Sequence, residues 1–173
     1  EFLVDPAGEF YFIEMNTRIQ VEHPVTEEVY GVDLVREMIN LALGRELSLK
    51  QDELVPRGHS IECRVYAEDP LKNFAPSPGR ITLLVRPNGP GIRVDSGVFQ
   101  DSVVPLDYDP MVAKLVVTAA DRPKAVARLK RALQEYQVRG IATTLTLFRA
   151  LVEMDELADA DFHPGFLDEL LAS

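Results

Sequence analysis

Residues 10–24 read Phe-Tyr-Phe-Ile-Glu-Met-Asn-Thr-Arg-Ile-Gln-Val-Glu-His-Pro, an apolar run that leads directly into a dense polar segment. Residues 10–13 are aromatic or β-branched, which favours an extended strand. Alternate side chains of an extended chain share one face, so Glu14, Asn16 and Arg18 are expected on the same side. That face combines oxygen ligands with a cation.

The polar segment carries groups that suit a divalent cation and a planar anion. The Glu14 carboxylate and the Asn16 amide oxygen suit a hard cation such as Mg²⁺, which also keeps waters and substrate phosphates as ligands. Arg18 suits phosphate or bicarbonate, because its planar fork binds two oxygens at once. Glu22 is a candidate general base. The alternative is a strand that ends in an ordinary solvated loop, but four such groups after one strand favour a site.

These residues also carry a family resemblance. The 14-residue run from Glu14 to Glu27 resembles the motif of the biotin carboxylases, the ATP-grasp component of biotin-dependent carboxylases. The resemblance covers essentially the whole chain. Three further stretches agree with that family: Gly-His-Ser-Ile-Glu-Cys-Arg-Val-Tyr-Ala-Glu-Asp-Pro at 58–70, Pro-Ser-Pro-Gly at 76–79 and Tyr-Asp-Pro-Met-Val-Ala-Lys-Leu at 108–115.

The resemblance implies an α+β fold in two parts. Residues 1–45 would be the carboxyl-terminal end of an ATP-grasp domain, a β-hairpin plus a helix, and residues 57–173 the biotin carboxylase carboxyl-terminal α+β domain. Residues 45–57 mix charged and amide residues with Pro56, a composition that favours a domain junction. The chain starts at Glu1 inside a strand-like run without an initiator methionine. We therefore expect a fragment that begins within a domain.

The function implied by the resemblance is that of an ATP-dependent ligase. In this family ATP and bicarbonate give carboxyphosphate, and the carboxyl group then passes to N1′ of biotin on a carrier protein. The expected cofactors are ATP, Mg²⁺ or Mn²⁺, and biotin as the carrier-borne substrate. The expected partners are biotin carboxyl carrier protein, a carboxyltransferase and a second copy in a full-length homodimer. The acceptor stays open between acetyl-CoA, as in fatty acid biosynthesis, another acyl-CoA and pyruvate.

The resemblance assigns the metal and nucleotide sites. It implies that Glu1, Glu14 and Asn16 bind the metal ion, with Glu14 also at the ATP phosphates. It implies that Leu3 and Ile13 line the adenine pocket. The alternatives are that Glu1 is a surface glutamate and that Leu3 and Ile13 form the core of the hairpin.

The resemblance also assigns the bicarbonate and biotin sites. Arg18, Gln20 and the backbone of Val21 would bind bicarbonate, and Glu22 would bind it and remove its proton. Arg64 would stabilise the enolate form of the biotin ureido group.

The residues around Arg64 alternate in a way that predicts a strand. Over residues 60–66, Ile61, Cys63 and Val65 alternate with polar or aromatic residues, as in a half-buried strand that presents Glu62 and Arg64 on one face. The alternative for Arg64 is a surface pair with Glu62, which contributes about 0–1 kcal/mol.

Composition excludes several classes of protein. The net charge of −10 is not balanced by any block of Lys and Arg, so nucleic acid and anionic membrane are not expected partners. The single cysteine, Cys63, excludes an internal disulfide framework and is expected to be a buried, inert thiol. No apolar run approaches the ~18 residues of a membrane span. We expect a reducing compartment, the cytoplasm, or the mitochondrial matrix if the protein is eukaryotic.

Cap signals predict the main helices. A helical turn is expected over 25–30, and Asp33 is expected to cap a helix over 34–43 whose apolar stripe is core. Asp121 should cap a helix that includes Tyr136 and ends before Gly140.

The other elements follow from apolar runs and turns. Strands are predicted at 81–85, 92–94 and 111–118, with Lys114 the one charge of the last. Further helices are expected to open at Thr143 or Thr144 and to cover residues 166–171. Asp107 stands where we expect tyrosine in many relatives, so its role is open.

Two other functions remain possible from the residues. The chain could belong to another ATP-grasp ligase that uses a carboxylate or an amine. It could also be a non-catalytic folding or oligomerisation module, and the isolated fragment is expected to be inactive. Carboxylation of free biotin by the full-length protein distinguishes these possibilities.

Overall fold

A computed structural model describes residues 1–163 and 165–172. The chain divides into two compact units, Glu1–Val55 and the residues from Pro56 onward. The first unit contains β1 (Phe2–Val4), β2 (Phe10–Phe12), α1 (His23–Tyr30) and α2 (Leu34–Ala42).

The predicted hairpin is confirmed. Strands β1 and β2 pair antiparallel with Leu3 opposite Tyr11, a register that the sequence could not fix. Asp5 holds the turn, because its Oδ1 accepts hydrogen bonds from the backbone N–H groups of Ala7 (2.9 Å) and Glu9 (3.0 Å). The hairpin therefore closes through a local side-chain bond as well as through its ladder.

The helices of the first unit agree with their cap signals, and one burial prediction is wrong. Helix α1 begins at His23, before the predicted start, because Pro24 fits the first turn of a helix. Asp33 caps α2, since its Oδ1 accepts from the N–H of Arg36 at 2.8 Å. The apolar stripe of α2 is not core, because Val35 and Met38 are exposed. A hairpin and two short helices are too few elements to cover it.

The second unit alternates short strands with helices. One 3₁₀ turn, Gln51–Glu53, precedes the second unit, and another, Pro70–Lys72, lies within it. Its elements are β3 (His59–Tyr66), β4 (Glu68–Asp69), β5 (Ala75–Pro76), β6 (Gly79–Arg80), β7 (Leu83–Val85), β8 (Ile92–Ser96), β9 (Val103–Val104), β10 (Met111–Ala119), α3 (Arg122–Glu135), β11 (Gln137–Arg139), α4 (Leu145–Leu151), α5 (Asp155–Asp159) and α6 (Phe166–Ala172).

The core lies between a three-stranded antiparallel sheet, in the order β3-β10-β8, and helix α3. The predicted alternation of β3 is confirmed, because Cys63 and Val65 are buried in the core. Leu115 and Val117 of β10 and Leu129 of α3 belong to the same cluster. The opposite face of the sheet carries the charged residues.

The predicted end of α3 is wrong. Tyr136 is buried in extended backbone just past the helix, and the chain continues into β11, which pairs antiparallel with β7. Gly140 follows this strand and not the helix. Its φ of 98° suits glycine, and an added Cβ would lie 2.1 Å from the carbonyl oxygen of Arg80. Pairing with a distant strand overrides the local helical pattern here.

The remaining predicted elements are found with small shifts in their ends. The strand expected at 81–85 is shorter in the structure, because β7 covers only Leu83–Val85. Ile81 is nevertheless fully buried. Thr144 precedes α4 as expected, and α6 covers the predicted tail helix. Helix α5 was not predicted. No helix in the described ranges is both long enough and apolar enough to cross a membrane.

Candidate active site

The hairpin brings Glu1, Glu14 and Asn16 together, a set that we call the carboxylate cluster. The ladder extends past β1 and β2, because the N–H of Ile13 donates to the carbonyl oxygen of Glu1 at 2.9 Å. The Nδ2 of Asn16 donates to Glu1 Oε1 at 2.9 Å and to Glu14 Oε1 at 3.3 Å. Both carboxylates therefore lie within hydrogen-bond reach of one atom.

The carboxylate cluster fits a hard cation. Two carboxylates and an amide are oxygen ligands of the kind that Mg²⁺ prefers, and the like charges of Glu1 and Glu14 favour a shared positive partner. The amide nitrogen of Asn16 faces the two carboxylates, and a cation bound there would take the amide oxygen instead, after rotation of the side-chain amide. The described residues contain no group of three His, Cys, Asp or Glu side chains that could hold a metal ion. Asn16 supplies the third side chain of this set.

Arg18 links the carboxylate cluster to the polar segment that follows. Its Nη2 donates to Asn16 Oδ1 at 3.4 Å, and its Nη1 donates to the carbonyl oxygen of Ile19 at 3.3 Å. The amide of Asn16 thus joins the two carboxylates on one side to the guanidinium on the other. The predicted metal ligands and the predicted anion-binding arginine form one hydrogen-bonded series.

The predicted bicarbonate residues line a cavity of about 570 Å³ in the first unit. Arg18, Gln20 and Glu22 are among its polar lining residues, and Val21 is in the turn between the last two. Its apolar lining, which we call the apolar wall, comes from α2 and the segment after it: Leu34, Met38, Leu41, Leu47 and Leu49. The cavity offers a cation, an amide and a carboxylate beside a wall of low polarity.

Helix α1 fixes the position of Glu22. Glu22 is the N-cap residue, and its carbonyl oxygen accepts from the N–H of Val25 at 3.0 Å. The buried Glu27 anchors the helix, since its Oε1 lies 3.1 Å from His23 Nδ1 and accepts from the N–H of Leu34 at 2.9 Å. The role of Glu27 as the anchor of α1 was not predicted. The sequence signal for this role is a glutamate four residues after a histidine, on the apolar side of a helix.

A second carboxylate that we did not predict shapes the cavity. Glu37 accepts hydrogen bonds from the N–H (3.0 Å) and the Oγ (2.8 Å) of Ser48. These bonds, with the backbone bond the larger cause, hold the pKa of Glu37 below its usual value. They tie α2 to the segment that supplies Leu47 and Leu49, and so they fix the apolar wall.

Arg64 lies in the second unit, on what we call the charged face of the sheet: Glu62 and Arg64 of β3, Lys114 of β10, and Arg93 and Asp95 of β8. The Arg64 side chain is 41% exposed, and its Nε lies 4.0 Å from Oε1 of the 5% exposed Glu62. The structure thus contains the Arg64–Glu62 pair that was the alternative to an active-site role, but at a long distance and with the Glu62 side chain buried and not on the surface. The partial exposure leaves the guanidinium accessible to a ligand.

Thr144 fixes the backbone on which Arg64 stands. Its Oγ1 donates to the carbonyl oxygen of Arg64 at 3.2 Å and accepts from the N–H of Tyr66 at 3.0 Å. Its N–H also donates to the carbonyl oxygen of Tyr66 at 3.1 Å. The start of α4 therefore holds β3 on both sides of Val65. From the sequence, Thr144 was predicted only as a possible start of a helix, and its bonds to β3 were not predicted.

Cys63, next to Arg64 in sequence, points into the core. Burial, and to a smaller degree the neighbouring Glu62 charge, raises the pKa of the Cys63 thiol to about 12. The expectation of a buried, inert thiol is confirmed, because the thiolate is the reactive form.

Two family models match the chain. Residues 62–169 match the family described as "Biotin carboxylase C-terminal domain". This chain belongs to the biotin carboxylase family. Residues 1–50 match a second model, "Carbamoyl-phosphate synthase L chain, ATP binding domain". The resemblance seen in the sequence is thereby confirmed, and the α+β fold with it.

Named biotin carboxylases match this chain along nearly its full length. A chloroplastic biotin carboxylase of Arabidopsis thaliana is 49% identical over 167 residues, 96% of this chain and 31% of that protein. A biotin carboxylase of Pseudomonas aeruginosa is 51% identical over 165 residues, 95% of this chain and 35% of that protein. The chain spans about a third of the length of the curated relatives it matches.

Solved structures agree with this assignment. The biotin carboxylase domain dimer of Hydrogenobacter thermophilus 2-oxoglutarate carboxylase, in complex with MgADP, ADP and bicarbonate, superposes with a TM-score of 0.93 at 43% identity. The match covers 97% of this chain and 37% of that one. The Campylobacter jejuni biotin carboxylase–β,γ-ATP complex gives 0.91 at 46% identity, over 97% and 37% of the two chains.

The two residues that the biotin carboxylase resemblance assigns to the adenine pocket, Leu3 and Ile13, lie on the hairpin. Leu3 is opposite Tyr11 in the register, and Ile13 follows two residues later on the same face. Both are exposed, so the alternative that they form hairpin core is wrong for the described chain.

Asp107 is also exposed and lies between the exposed Leu106 and Tyr108.

Proposed function

We propose that this chain acts in the ATP- and bicarbonate-dependent carboxylation of biotin, as part of the complete natural protein that contains it. The observation that carries this proposal is the link from Glu1 and Glu14 through Asn16 to Arg18. A metal-ligand set bonded directly to an anion-binding arginine suits a reaction in which a small anion meets a metal-bound nucleotide.

Glu1, Glu14 and Asn16 would hold Mg²⁺ or Mn²⁺. When bound, the cation offsets the negative charge that develops on the phosphates during phosphoryl transfer. A structural neighbour with MgADP in its name supports this role. Leu3 and Ile13, exposed on one face of the hairpin, would line the adenine site.

Bicarbonate would bind through Arg18, Gln20 and the backbone N–H of Val21. Glu22 takes the bicarbonate proton, and the resulting oxygen attacks the γ-phosphorus of ATP, so that carboxyphosphate forms as ADP leaves. The shared cavity supports this assignment, because it places Arg18, Gln20 and Glu22 around one volume. Neighbours solved with bicarbonate support it as well.

Arg64 would act in the second half of the reaction. When N1′ of biotin loses its proton, negative charge develops on the ureido oxygen, and a guanidinium stabilises it. The carboxyl group then passes from carboxyphosphate to N1′ and phosphate is released. The partly exposed guanidinium on a backbone fixed by Thr144 supports this role.

The partners follow from this reaction. Biotin would arrive on a carrier protein, and a carboxyltransferase would use the carboxylated carrier. The complete protein would form a homodimer, which the dimer named among the structural neighbours supports.

Incorporation of labelled bicarbonate into free biotin tests the proposal. The complete protein, with ATP and Mg²⁺, should form acid-labile carboxybiotin, and Arg64→Ser should lose this activity while keeping its affinity for ATP. Ligation of a different carboxylate or amine without any fixation into biotin would contradict the proposal. Equal loss of both properties in Arg64→Ser would show that Arg64 is structural.

A further inference from the structure

Glu27 of α1 contacts two residues that line the cavity of the proposed bicarbonate site, His23 and Leu34. Its Oε1 lies 3.1 Å from His23 Nδ1 and accepts a hydrogen bond from the N–H of Leu34 at 2.9 Å. The side chains of Glu27 and His23 are only 6% and 14% exposed. One buried carboxylate therefore joins the start of α1 to the start of α2, which carries part of the apolar wall.

His23 extends this connection to the turn that carries the proposed general base. Its N–H donates to the carbonyl oxygen of Gln20 at 3.3 Å and so closes the turn that contains Glu22. The same residue contacts Glu27 through its ring. A continuous series of contacts thus runs from the turn through His23 and Glu27 to Leu34 of the apolar wall.

The Glu27 carboxylate has a fixed position. Its own backbone carbonyl oxygen accepts from the N–H groups of Gly31 (2.8 Å) and Val32 (3.1 Å) where α1 ends. Its side chain bonds the first N–H of α2, a donor that a helix cannot pair within its own turns, at an end where the helix dipole favours negative charge. The carboxylate therefore presents an oxygen to His23 Nδ1 from a defined direction.

A carboxylate at this position does more than pack two helices. An apolar residue would pack α1 against α2 without the cost of burying a polar group. The carboxylate favours a hydrogen on His23 Nδ1, and the bond made by one ring nitrogen sets the tautomer of a histidine. It thereby fixes the orientation of a ring that shares the cavity with Glu22.

We propose that Glu27 is a positioning residue for the formation of carboxyphosphate: through His23 it fixes the turn that carries Glu22, and through Leu34 it fixes the apolar wall of the same cavity. This inference rests on the proposed role of Glu22 as the base. A general base must lie within hydrogen-bond reach of the proton that it removes. A small displacement of the turn should therefore lower the rate and leave the affinity for ATP unchanged.

Bicarbonate-dependent ATP cleavage by the complete protein tests the inference. Glu27→Met keeps the length of the side chain and removes both acceptor oxygens. We expect kcat per folded protein to fall about 10- to 100-fold, since a misplacement of about 1 Å can cost that much. The KM for ATP and the Mg²⁺ requirement should not change. Glu27→Gln keeps an acceptor oxygen for His23 and Leu34, so it should recover most of the rate.

Glu46→Met is the matched control, because Glu46 is an exposed glutamate of the same unit. The same substitution there should leave kcat unchanged. An equal fall in kcat in the Glu46 and Glu27 variants would contradict the proposal.

His23→Phe is the second variant. It keeps an aromatic ring and the backbone bond to Gln20 but removes Nδ1, so kcat should fall here as well. Because Glu27 acts partly through His23, the losses should not add. The double variant, Glu27→Met with His23→Phe, should lose less than the product of the two single losses.

Several outcomes would overturn the inference: a normal kcat in whichever of Glu27→Met and His23→Phe folds, no recovery with Glu27→Gln, or fully additive losses in the double variant. Failure of both single variants to fold would make the pair structural and overturn it as well. Glu22→Gln separates the two levels of the account. If that variant keeps its kcat, the proposed role of Glu22 fails. If it loses kcat while Glu27→Met does not, only the inference about Glu27 fails.

Discussion

The side-chain amide of Asn16 donates a 2.9 Å hydrogen bond to the carboxylate of Glu1. The two residues are separated by the whole hairpin, so the bond exists only because the hairpin has its observed register. A shift of one residue would turn the end of one strand to the other face and separate the pair. The register of two short strands therefore assembles the proposed metal site.

Removing the Asn16 amide should weaken metal binding. In the complete protein, Asn16→Ala should raise the Mg²⁺ concentration needed for ATP cleavage by about tenfold or more, the lower end of losses seen when metal-site partners are removed. Mg²⁺ titration of ATP cleavage measures this. Glu9→Ala, which removes an exposed carboxylate from the same hairpin, should not shift the titration. An unchanged Mg²⁺ requirement in Asn16→Ala would contradict the role of Asn16 as a metal ligand.

Cys63 should be inert in the folded chain. Because the pKa of its thiol is raised to about 12, a thiol-alkylating reagent at pH 8 should modify Cys63 only when denaturant unfolds the second unit. Rapid labelling without denaturant would contradict the burial of this residue. Measuring labelling by mass spectrometry over a urea series tests both outcomes.

The raised pKa of the Cys63 thiol also predicts a loss of folding stability at high pH. A thiol whose pKa is raised in the folded state favours folding fully below its usual pKa of 9.0, and this contribution is lost as pH rises from 9 towards 12. At pH 10.5 the loss should be about 2 kcal/mol. Urea unfolding of the chain and of Cys63→Ala, each at pH 8 and 10.5, isolates the part of this loss that comes from the Cys63 thiol. Equal pH dependence in both proteins would contradict the prediction.

The Ser48 hydroxyl should contribute to the lowered pKa of Glu37. Ser48→Ala removes one hydrogen bond and leaves the backbone bond, so the pKa of Glu37 should rise part of the way to its usual value. The lowered pKa stabilises the fold above the usual value of 4.5, and this contribution is lost as pH falls through the folded pKa. NMR titration of the Glu37 side chain measures the shift, and no change in Ser48→Ala would contradict it.

Thr144 should stabilise the strand that carries Arg64. Thr144→Val keeps the shape but removes the hydroxyl that bonds Arg64 and Tyr66, so unfolding in urea should require about 1–3 kcal/mol less free energy. Thr144→Ser keeps the hydroxyl and is the matched control. A valine variant as stable as the serine variant would show that these bonds contribute little.

The parts of the fold that could be predicted depend on local signals. Cys63 and Val65 follow the two-residue period of a half-buried strand, and Asp33 and Asp121 each bond the N–H three residues later, as helix caps do. These patterns need only the neighbouring sequence.

The parts that could not be predicted depend on distant segments. Residues 137–139 form β11 only because β7 lies beside them, about 50 residues earlier in the chain. Lys114 was predicted merely as the one charge of a strand. Its place between Arg64 and Asp95 depends on the strand order β3-β10-β8, which no local pattern contains.

Bicarbonate-dependent ATP cleavage by Glu22→Gln, in the complete protein, tests the central proposal most directly. Glutamine keeps the size and hydrogen bonding of Glu22 but cannot accept the bicarbonate proton, so kcat should fall by about 10²- to 10⁴-fold, the usual loss for a positioned general base. The Mg²⁺ requirement should not change, since Glu1, Glu14 and Asn16 are intact. A near-normal kcat with a raised Mg²⁺ requirement would instead place Glu22 at the metal and contradict its role as the base.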